Sequence, residues 1–446
     1  MTALLDATPG SLDEYLAREG GRGLERARSM APDDLIAVIE AAGLRGRGGA
    51  GFPTATKWRA IGTVGTGRRY AVCNAAEGEP GTFKDRTLLR SNPYLVVEGL
   101  EIAALAVGAS KAYLVTKETF DREIASTLRA LSEMASAGML DVPVDLVLGP
   151  DEYLLGEETG LLEAVERALP LPRVARPFMK GLFSTPDSDN PTLVNNAETL
   201  ANVPAIVADG PEPFRRMGTT GSPGTMLFTL AGDVVAPGVY ELPMGLPLRY
   251  LIEDIGGGCP EGRAVQAVLP GASNTVITAE MLDVPLDFEA MRAVGTGLGA
   301  GGFVVLDTSA CIVEAAALFA RFLWIESCAQ CPACKLNSGA IAGTLGRIQA
   351  GAGSETDLQV LLERAVRVTD GQRCALPTGQ SLLVQSLVYC YADRFWDHVD
   401  VGCRYERRLA LPKIVDYDER EGRFFYDGRY ARKLPDWTYA SAPEAA

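Results

Sequence analysis

The sequence predicts a chain of three unlike parts: an α/β region, a small β-rich unit and an all-α region. Three observations carry this. Helix and strand patterns alternate through residues 1–220, the order of an α/β sheet domain. Short apolar runs separated by Gly/Pro turns fill 221–310. Residues 311–404 hold four stretches of helix-period apolar residues, which suggests a bundle. The remainder, 405–446, is rich in aromatics and charges and reads as a surface tail and docking segment.

Each element follows from local pattern. Asp33–Ala42 reads as a helix opened by Pro32-Asp33 and stopped by Gly43. Arg69–Asn74, Lys111–Thr116 and Val142–Leu148 read as strands. Pro93–Val107, Phe120–Ala137, Glu157–Ala168 and Pro191–Val207 read as helices. Met226–Ala231, Gly238–Leu242, Arg263–Leu269 and Phe303–Asp307 are the short strands of the β-rich unit. Ile312–Ser327, Gly339–Ala350, Glu355–Thr369 and Gln380–Arg394 are the four late helices. With 446 residues, the chain is too long for one ordinary core.

Composition narrows the function. A net charge of −15 argues against nucleic acid, whose phosphates need a basic face. An anionic ligand must therefore meet a local positive patch. No run approaches the ~18 apolar residues of a membrane span. The first residues lack a basic and then apolar leader pattern. The expected place is the cytoplasm, peripheral on the inner membrane where a larger complex docks there. Nine cysteines without an export signal point to metal or redox chemistry rather than disulfides. The single histidine, His398, leaves little room for a His–Asp pair or a His-based metal site.

Cys328, Cys331 and Cys334 stand in the run Glu-Ser-Cys-Ala-Gln-Cys-Pro-Ala-Cys, so three thiols at x2 spacing can reach one small group from a tight turn. A fourth is available in Cys374, in a Gly-Gln-Arg-Cys-Ala-Leu-Pro loop between two expected helices. Four thiolates are the ligand set of a [4Fe–4S] cluster. Zinc is the rival, although its four-thiolate sites usually pair two CxxC units. The other five, Cys73, Cys259, Cys311, Cys390 and Cys403, read as buried apolar side chains.

Gly46-Arg47-Gly48-Gly49-Ala50-Gly51 fits GxGxxG, but a helix precedes it where a dinucleotide fingerprint needs a strand. It is either an ordinary tight turn or a backbone cradle, with Arg45, Arg47 and Lys57 supplying positive charge. Asn74 to Arg86, holding Glu77 and Glu79, follows a strand end, where ligand crevices form. It could equally be an acidic turn capping the next helix. Tyr153-Leu-Leu-Gly156-Glu157-Glu158 opens a helix, and its acids could simply complement the dipole. Val194-Asn195-Asn196-Ala-Glu-Thr199 places two amides that could read a heterocycle edge or cap a helix.

Together these runs occur in the order found in one family. Gly-Leu-Arg-Gly-Arg-Gly-Gly-Ala-Gly-Phe-Pro-Thr (43–54), Glu-Gly-Glu-Pro-Gly-Thr (77–82), Gly-Glu-Glu-Thr (156–159), Val-Asn-Asn-Ala-Glu-Thr (194–199) and the cysteine run (326–334) all take part. From about Asp33 to Trp396 the chain resembles the NADH-binding flavoprotein subunit of respiratory complex I and the diaphorase subunits of NAD-linked hydrogenases and formate dehydrogenases. The resemblance implies a Rossmann-like FMN domain, a ubiquitin-like β-grasp (SLBB) domain and a C-terminal four-helix bundle holding a [4Fe–4S] cluster. It implies FMN on Gly46, Arg47, Gly48 and Gly49, with Lys57, Asn74, Glu77, Tyr153, Gly156, Glu157, Val194, Asn195, Asn196 and Thr199 around it. NADH would stack on the flavin, touching Ala50, Phe52, Glu79, Glu158 and Phe178. Cys328, Cys331, Cys334 and Cys374 would ligate the cluster.

The implied activity is NADH dehydrogenase: hydride to FMN, then single electrons to the cluster and on to partners. Those partners would be a thioredoxin-like [2Fe–2S] protein and a larger iron–sulfur subunit. Glu79 and Glu158 near the adenosine would repel a 2′-phosphate and favour NADH. Against the family pattern the chain has Ala76 for Asp, Ala55 for Gly, Arg59-Ala60-Ile61 where an aromatic is usual, and extra residues over 184–190. The alternative reading is a docking or electron-transfer module that keeps both cofactors but takes another donor. A third is a structural relative without cofactors. Phe178 and Glu158 framing an open slot, or residues 184–190 filling it, separates the first two.

Overall fold

The computed structural model describes residues 4–6, 8–63 and 67–441. Among these, strands β1 (Tyr70–Asn74), β2 (Lys111–Lys117), β3 (Val144–Gly149) and β4 (Thr192–Asn196) form a wholly parallel sheet in the order β3-β2-β1-β4. Side chains alternate across it. Ala71 and Cys73 of β1 join the core shared with helix Pro93–Val107, and Tyr70 and Val72 join the one shared with helix Glu158–Val165. Both faces being covered, β1 and β2 read as nearly continuous apolar runs. The chain passes from β1 to β2 on one side and reaches β4 on the other. That reversal opens a crevice at the C-terminal ends of the strands.

One expectation fails here. Residues 191–207 are not one helix: Thr192–Asn196 is a strand, and helices begin only at Ala197–Ala201 and Val203–Asp209. The Thr-Leu-Val run fits a pleated surface, and pairing with β1 in register (Val72 with Val194, Asn74 with Asn196) decides it. Asn195 and Asn196 thus stand at a strand's C-terminal end, beside Asn74.

The second sheet contains β5 (Thr225–Gly232), β6 (Gly238–Pro243), β7 (Val265–Leu269), β8 (Ile277–Thr278) and β9 (Gly302–Asp307), in the order β6-β5-β9-β7-β8. β5 and β9 pair in parallel at its centre and the other neighbours are antiparallel, as a β-grasp unit requires. Helices Ile312–Glu326, Pro332–Gln349, Glu355–Arg367, Leu376–Cys390 and Ala392–Val401 follow. Two differ from expectation in the same way. Pro332 and Pro377 sit in first turns, where a missing N–H costs nothing, so both helices begin earlier than their apolar periodicity suggests. The expected last helix also breaks at Tyr391 into two. No described helix is long and apolar enough to cross a membrane.

Residues 405–441 are packed rather than trailing. β10 (Ile414–Asp418) and β11 (Arg423–Tyr426) form a hairpin. Phe424 meets Phe83 edge-on at 5.9 Å. Arg86 and Arg90 share the buried Glu123 at 2.8 and 2.6 Å and also donate to the Val415 carbonyl and the Asp416 carboxylate.

Helix Pro93–Val107 buries Glu101, whose Oε1 accepts from the Asp141 and Val142 amides at 2.7 and 2.9 Å while Oε2 has no partner. Burial pushes this carboxyl up to about 7. The folded chain therefore holds a proton that the unfolded chain releases between about pH 4.5 and 7, and stability falls as pH rises through that window. Glu101→Gln keeps the acceptor and removes the charge. It is expected to stabilise the chain by up to about 3 kcal/mol at pH 8 and by far less at pH 5, read from urea unfolding at both pH values.

Candidate functional site

A cleft of about 430 Å³ lies at the C-terminal ends of β1 and β4. One wall is the glycine loop, Gly48, Gly49 and Ala50. Asn74, Glu77, Glu79, Tyr153, Gly156, Glu157 and Asn196 enclose it from the strand ends. Thus four runs far apart in sequence meet at one place. The rest of the wall comes from residues that no motif singled out. Ser273, Asn274, Gly299 and Ala300 come from the β-rich unit, and Ala375 and Leu376 from beside Cys374. Their only local signal is the Pro270-Gly271 turn and the glycines around 299.

The glycine loop is a closed structure. Gly46 N–H donates to the Phe52 carbonyl at 2.9 Å, Thr54 N–H to the Leu44 carbonyl at 3.0 Å, and Arg45 Nε to the Gly51 carbonyl at 2.7 Å. The Arg47 amide donates to Thr199 Oγ1 at 2.8 Å, which fastens the loop to the segment after β4. Gly48 is closely approached: a Cβ there would stand 3.1 Å from Asn196 Cβ. Gly49 is required by conformation, with φ 129°.

The expected positive patch is spent inside the protein. Arg47 is wholly buried and donates to the Pro223 and Thr225 carbonyls at 3.0 Å each. Burial pulls it down to about 10, against the opposing charge of Glu198. Arg45 pairs with Glu289, and Lys57 with Glu158 at 2.8 Å and the Val194 carbonyl at 2.9 Å. None of the three lines the cleft.

The acids divide by role. Glu77 accepts from the Lys84 amide at 3.0 Å and, more loosely, the Asp85 and Arg86 amides, so it caps helix Lys84–Ser91. Burial, with Asp85 nearby, pushes it up to about 7. Glu79 accepts from Tyr153 OH at 2.5 Å, the Ala272 amide at 2.6 Å and Ser273 Oγ at 3.1 Å. It ties the sheet domain to the β-rich unit, and of the two acids expected beside a dinucleotide only Glu79 lines the cleft, while Glu158 is paired with Lys57. Glu157 caps helix Glu158–Val165 through the Thr159 and Gly160 amides. Asn195 turns inward to accept from Trp58 Nε1 at 2.8 Å, whereas Asn196 faces the cleft and donates to Asp85 at 2.6 Å. Phe52 and Phe178 stand exposed, at 51% and 38%.

Next to the cleft is a small hollow whose lining includes Cys328, Cys331, Cys334 and Cys374. Ala329 takes φ 64°, the strained turn that lets Cys328 and Cys331 face the same way. Cys331 and Cys374 lie just before helices Pro332–Gln349 and Leu376–Cys390, so two positive helix ends converge on the hollow. Burial pushes Cys374 up to about 12. The donor set fits a cluster. Zinc would draw its thiolates to about 3.8 Å apart. Among the described residues, the one trio of Cys, His, Asp or Glu ligand atoms within 4.8 Å of one another is elsewhere, at Cys311, His398 and Cys403. The four thiols are therefore spread wider than a single ion needs. Leu154, Cys374 and Leu376 line both the cleft and the hollow.

Comparison with known proteins adds to this geometry. Residues 39–205 match the Nuo51 FMN-binding domain, 227–277 the SLBB domain, and 314–398 the NADH-ubiquinone oxidoreductase-F iron-sulfur binding region. The second F-type subunit of the NADH-quinone oxidoreductase of Rhizobium meliloti is 38% identical over 402 residues, covering 87% of this chain and 94% of that protein. The chain belongs to the F-type subunit family of NADH-quinone oxidoreductases. The HndC subunit of the NADP-reducing hydrogenase of Solidesulfovibrio fructosivorans is 36% identical, over 88% of this chain and 81% of its own. A crystal structure of an NAD+-reducing [NiFe]-hydrogenase in the H2-reduced state superposes with a TM-score of 0.77 at 34% identity. That match covers 89% of this chain and 67% of that one.

Two departures of this F-type chain now have a place. Ala76 is buried at the cleft, its amide on Asn74 Oδ1 at 3.2 Å. Residues 184–190 do not fill the slot. Thr185 and Ser188 bridge in a tight turn, and Asn190 accepts from the Arg68 amide at 3.0 Å, at the far end of β1 from the cleft. The five remaining cysteines are less uniform than expected. Cys73, Cys259 and Cys311 are buried, but Cys390, the last residue of helix Leu376–Cys390, is exposed, and Cys403, just after helix Ala392–Val401, is half-buried.

Glu326, immediately before the cysteine run, is buried and accepts from the Tyr153 amide at 3.0 Å, Tyr430 OH at 2.7 Å and Lys433 Nζ at 2.9 Å. Lys433→Met leaves that carboxylate without its cation. The expected loss is about 3–5 kcal/mol in denaturant unfolding, far above the effect of removing an exposed pair such as Arg249–Asp283.

Proposed function

We propose that this chain is the NADH-oxidising subunit of a multi-subunit redox complex. The observation that carries the proposal is the shared wall. A cleft suited to a flavin and a hollow suited to an iron–sulfur cluster meet at Leu154, Cys374 and Leu376. Bound FMN would supply the chemistry that joins a two-electron hydride donor to a one-electron acceptor.

The residues of the chain position and screen. Gly48, Gly49 and Ala50 would bring backbone against the isoalloxazine edge, and Asn74 and Asn196, which line the cleft, would read polar atoms of the ring system. Phe52 and Phe178 would flank the nicotinamide, with Glu158 held in place by Lys57. Hydride transfer needs no protein acid or base, so a site without histidine is adequate. Cys328, Cys331, Cys334 and Cys374 would hold the [4Fe–4S] cluster between two helix N-termini. Such a chain would pass its electrons onward to iron–sulfur partners. The thioredoxin-like [2Fe–2S] and larger iron–sulfur subunits are the partners we infer.

Anaerobic absorbance spectra of the loaded chain before and after NADH test this. Rapid bleaching of both the flavin bands and the broad iron–sulfur absorbance is expected. Cofactor bands that ignore NADH yet respond to dithionite would exclude NADH as the donor. Cys374→Ser is expected to keep the flavin response and lose the cluster absorbance.

A further inference from the structure

In sequence, His398 does not read as a metal ligand and Cys311 and Cys403 read as apolar side chains, yet the fold brings the three together. Cys311 caps the N-terminus of helix Ile312–Glu326, its Sγ accepting from the Glu314 amide at 3.4 Å. His398 is buried in helix Ala392–Val401, and Cys403 follows Gly402, which ends that helix with φ 76°. His398 Nε2 lies 3.2 Å from Cys311 Sγ, and Cys403 Sγ lies 3.9 Å from Cys311 Sγ. All three ligand atoms fall within 4.8 Å of one another.

The orientation is that of a ligand set. His398 Nδ1 is 2.7 Å from the Arg394 carbonyl, which can only accept, so Nδ1 carries the proton and Nε2 presents its lone pair to the sulfurs. A carbonyl holding the far nitrogen is the usual outer partner of a metal-bound imidazole. Tetrahedral zinc with two thiolates and one imidazole needs ligand atoms about 3.4–3.8 Å apart, close to what stands here before any ion draws them in. A fourth ligand would have to come from outside the trio, since among the described residues no carboxylate oxygen joins the three atoms within 4.8 Å. A cavity of about 210 Å³ opens beside His398 and Gly402, and Glu314, buried on the same helix turn as Cys311, has a carboxylate oxygen without a partner.

We propose that Cys311, His398 and Cys403 bind one zinc ion, with water or Glu314 completing the shell. The two thiols would lose their protons to solvent on binding. This site is separate from the cluster. Cys311 and Cys328 lie at opposite ends of helix Ile312–Glu326, whose 15 residues span about 22 Å. Its position gives it a structural task. It staples the start of the first late helix to the end of the last one, where residues 405–441 leave to cross the cluster end of the bundle.

The test is metal analysis of the full chain, cluster loaded, purified anaerobically from zinc-supplemented cells and desalted. About one zinc per chain is expected beside the cluster iron. Cys403→Ser, at a half-buried surface position, and His398→Gln should each lower zinc retention roughly tenfold or more and leave iron content unchanged. Replacing zinc with Co2+ should give a thiolate-to-cobalt absorbance in the near ultraviolet that Cys403→Ser weakens. Zinc well below one per chain in the parent protein would overturn the proposal. So would undiminished zinc in both variants, or a Cys311–Cys403 disulfide in anaerobically prepared protein.

Discussion

The arrangement of this chain depends on one buried carboxylate, Glu326. A charge taken out of water is tolerated only where it is paired and hydrogen-bonded. Glu326 meets that requirement with groups from three places: the Tyr153 amide after β3, Tyr430 OH, and Lys433 Nζ. Lys433 also reaches Glu152, and Trp437 Nε1 donates to the Ile325 carbonyl at 3.0 Å beside it. The helix that ends at Glu326 presents Cys328 two residues later. Satisfying one charge therefore fixes the cysteine loop against the strand-end segment that lines the flavin cleft. Tyr153 extends the chain of contacts through Glu79 to Ala272 and Ser273, so the β-rich unit is held by the same network.

That network explains why two cofactor sites can share a wall. Leu154 follows Tyr153, and Cys374 stands across from it with Leu376. Leu154 and Leu376 make this wall partly apolar, and the converging helix ends would favour an anionic cluster in the hollow. The acidic chain as a whole would repel an anionic dinucleotide. Its arginines and lysines near the glycine loop neutralise protein carboxylates and carbonyls rather than ligand. An anionic ligand would then have to be drawn by local backbone dipoles, and glycine lets the backbone of the loop come close to it.

Much of this was legible in the sequence, and the limits are instructive. Elements decided by local pattern, such as Pro93–Val107, were readable because turn and cap residues mark their ends. Thr192–Asn196 was not, because Leu193, Val194, Ala197 and Leu200 also satisfy a helical period, and only pairing with β1 separates the two. The motifs found the cleft but not the direction of each side chain. Asn195 and Asn196 are adjacent and alternate across a strand, so one meets Trp58 and the other the cleft. Arg47 read as a ligand-facing cation and is instead a buried strut to Pro223 and Thr225. The wall from Ser273, Asn274, Gly299 and Ala300 had only the Pro270-Gly271 turn and the glycines around 299 as a signal, since it is made by domain packing.

The added segment at 184–190 bears on the choice between an NADH oxidase and a module with another donor. Strands of a parallel sheet share a direction, so a ligand at their C-terminal ends is remote from whatever is added at the other end. The segment is fastened there: Asn190 holds the Arg68 amide, Ser188 reaches Asn190 at 2.6 Å, and Phe183 lies edge-on to Tyr70 at 5.6 Å. It lengthens the base of the sheet and leaves the mouth alone. Phe52 and Phe178 are exposed, and Lys57 sets the position of Glu158. No residue of the segment lines the cleft, so it leaves the strand-end crevice open to a ligand.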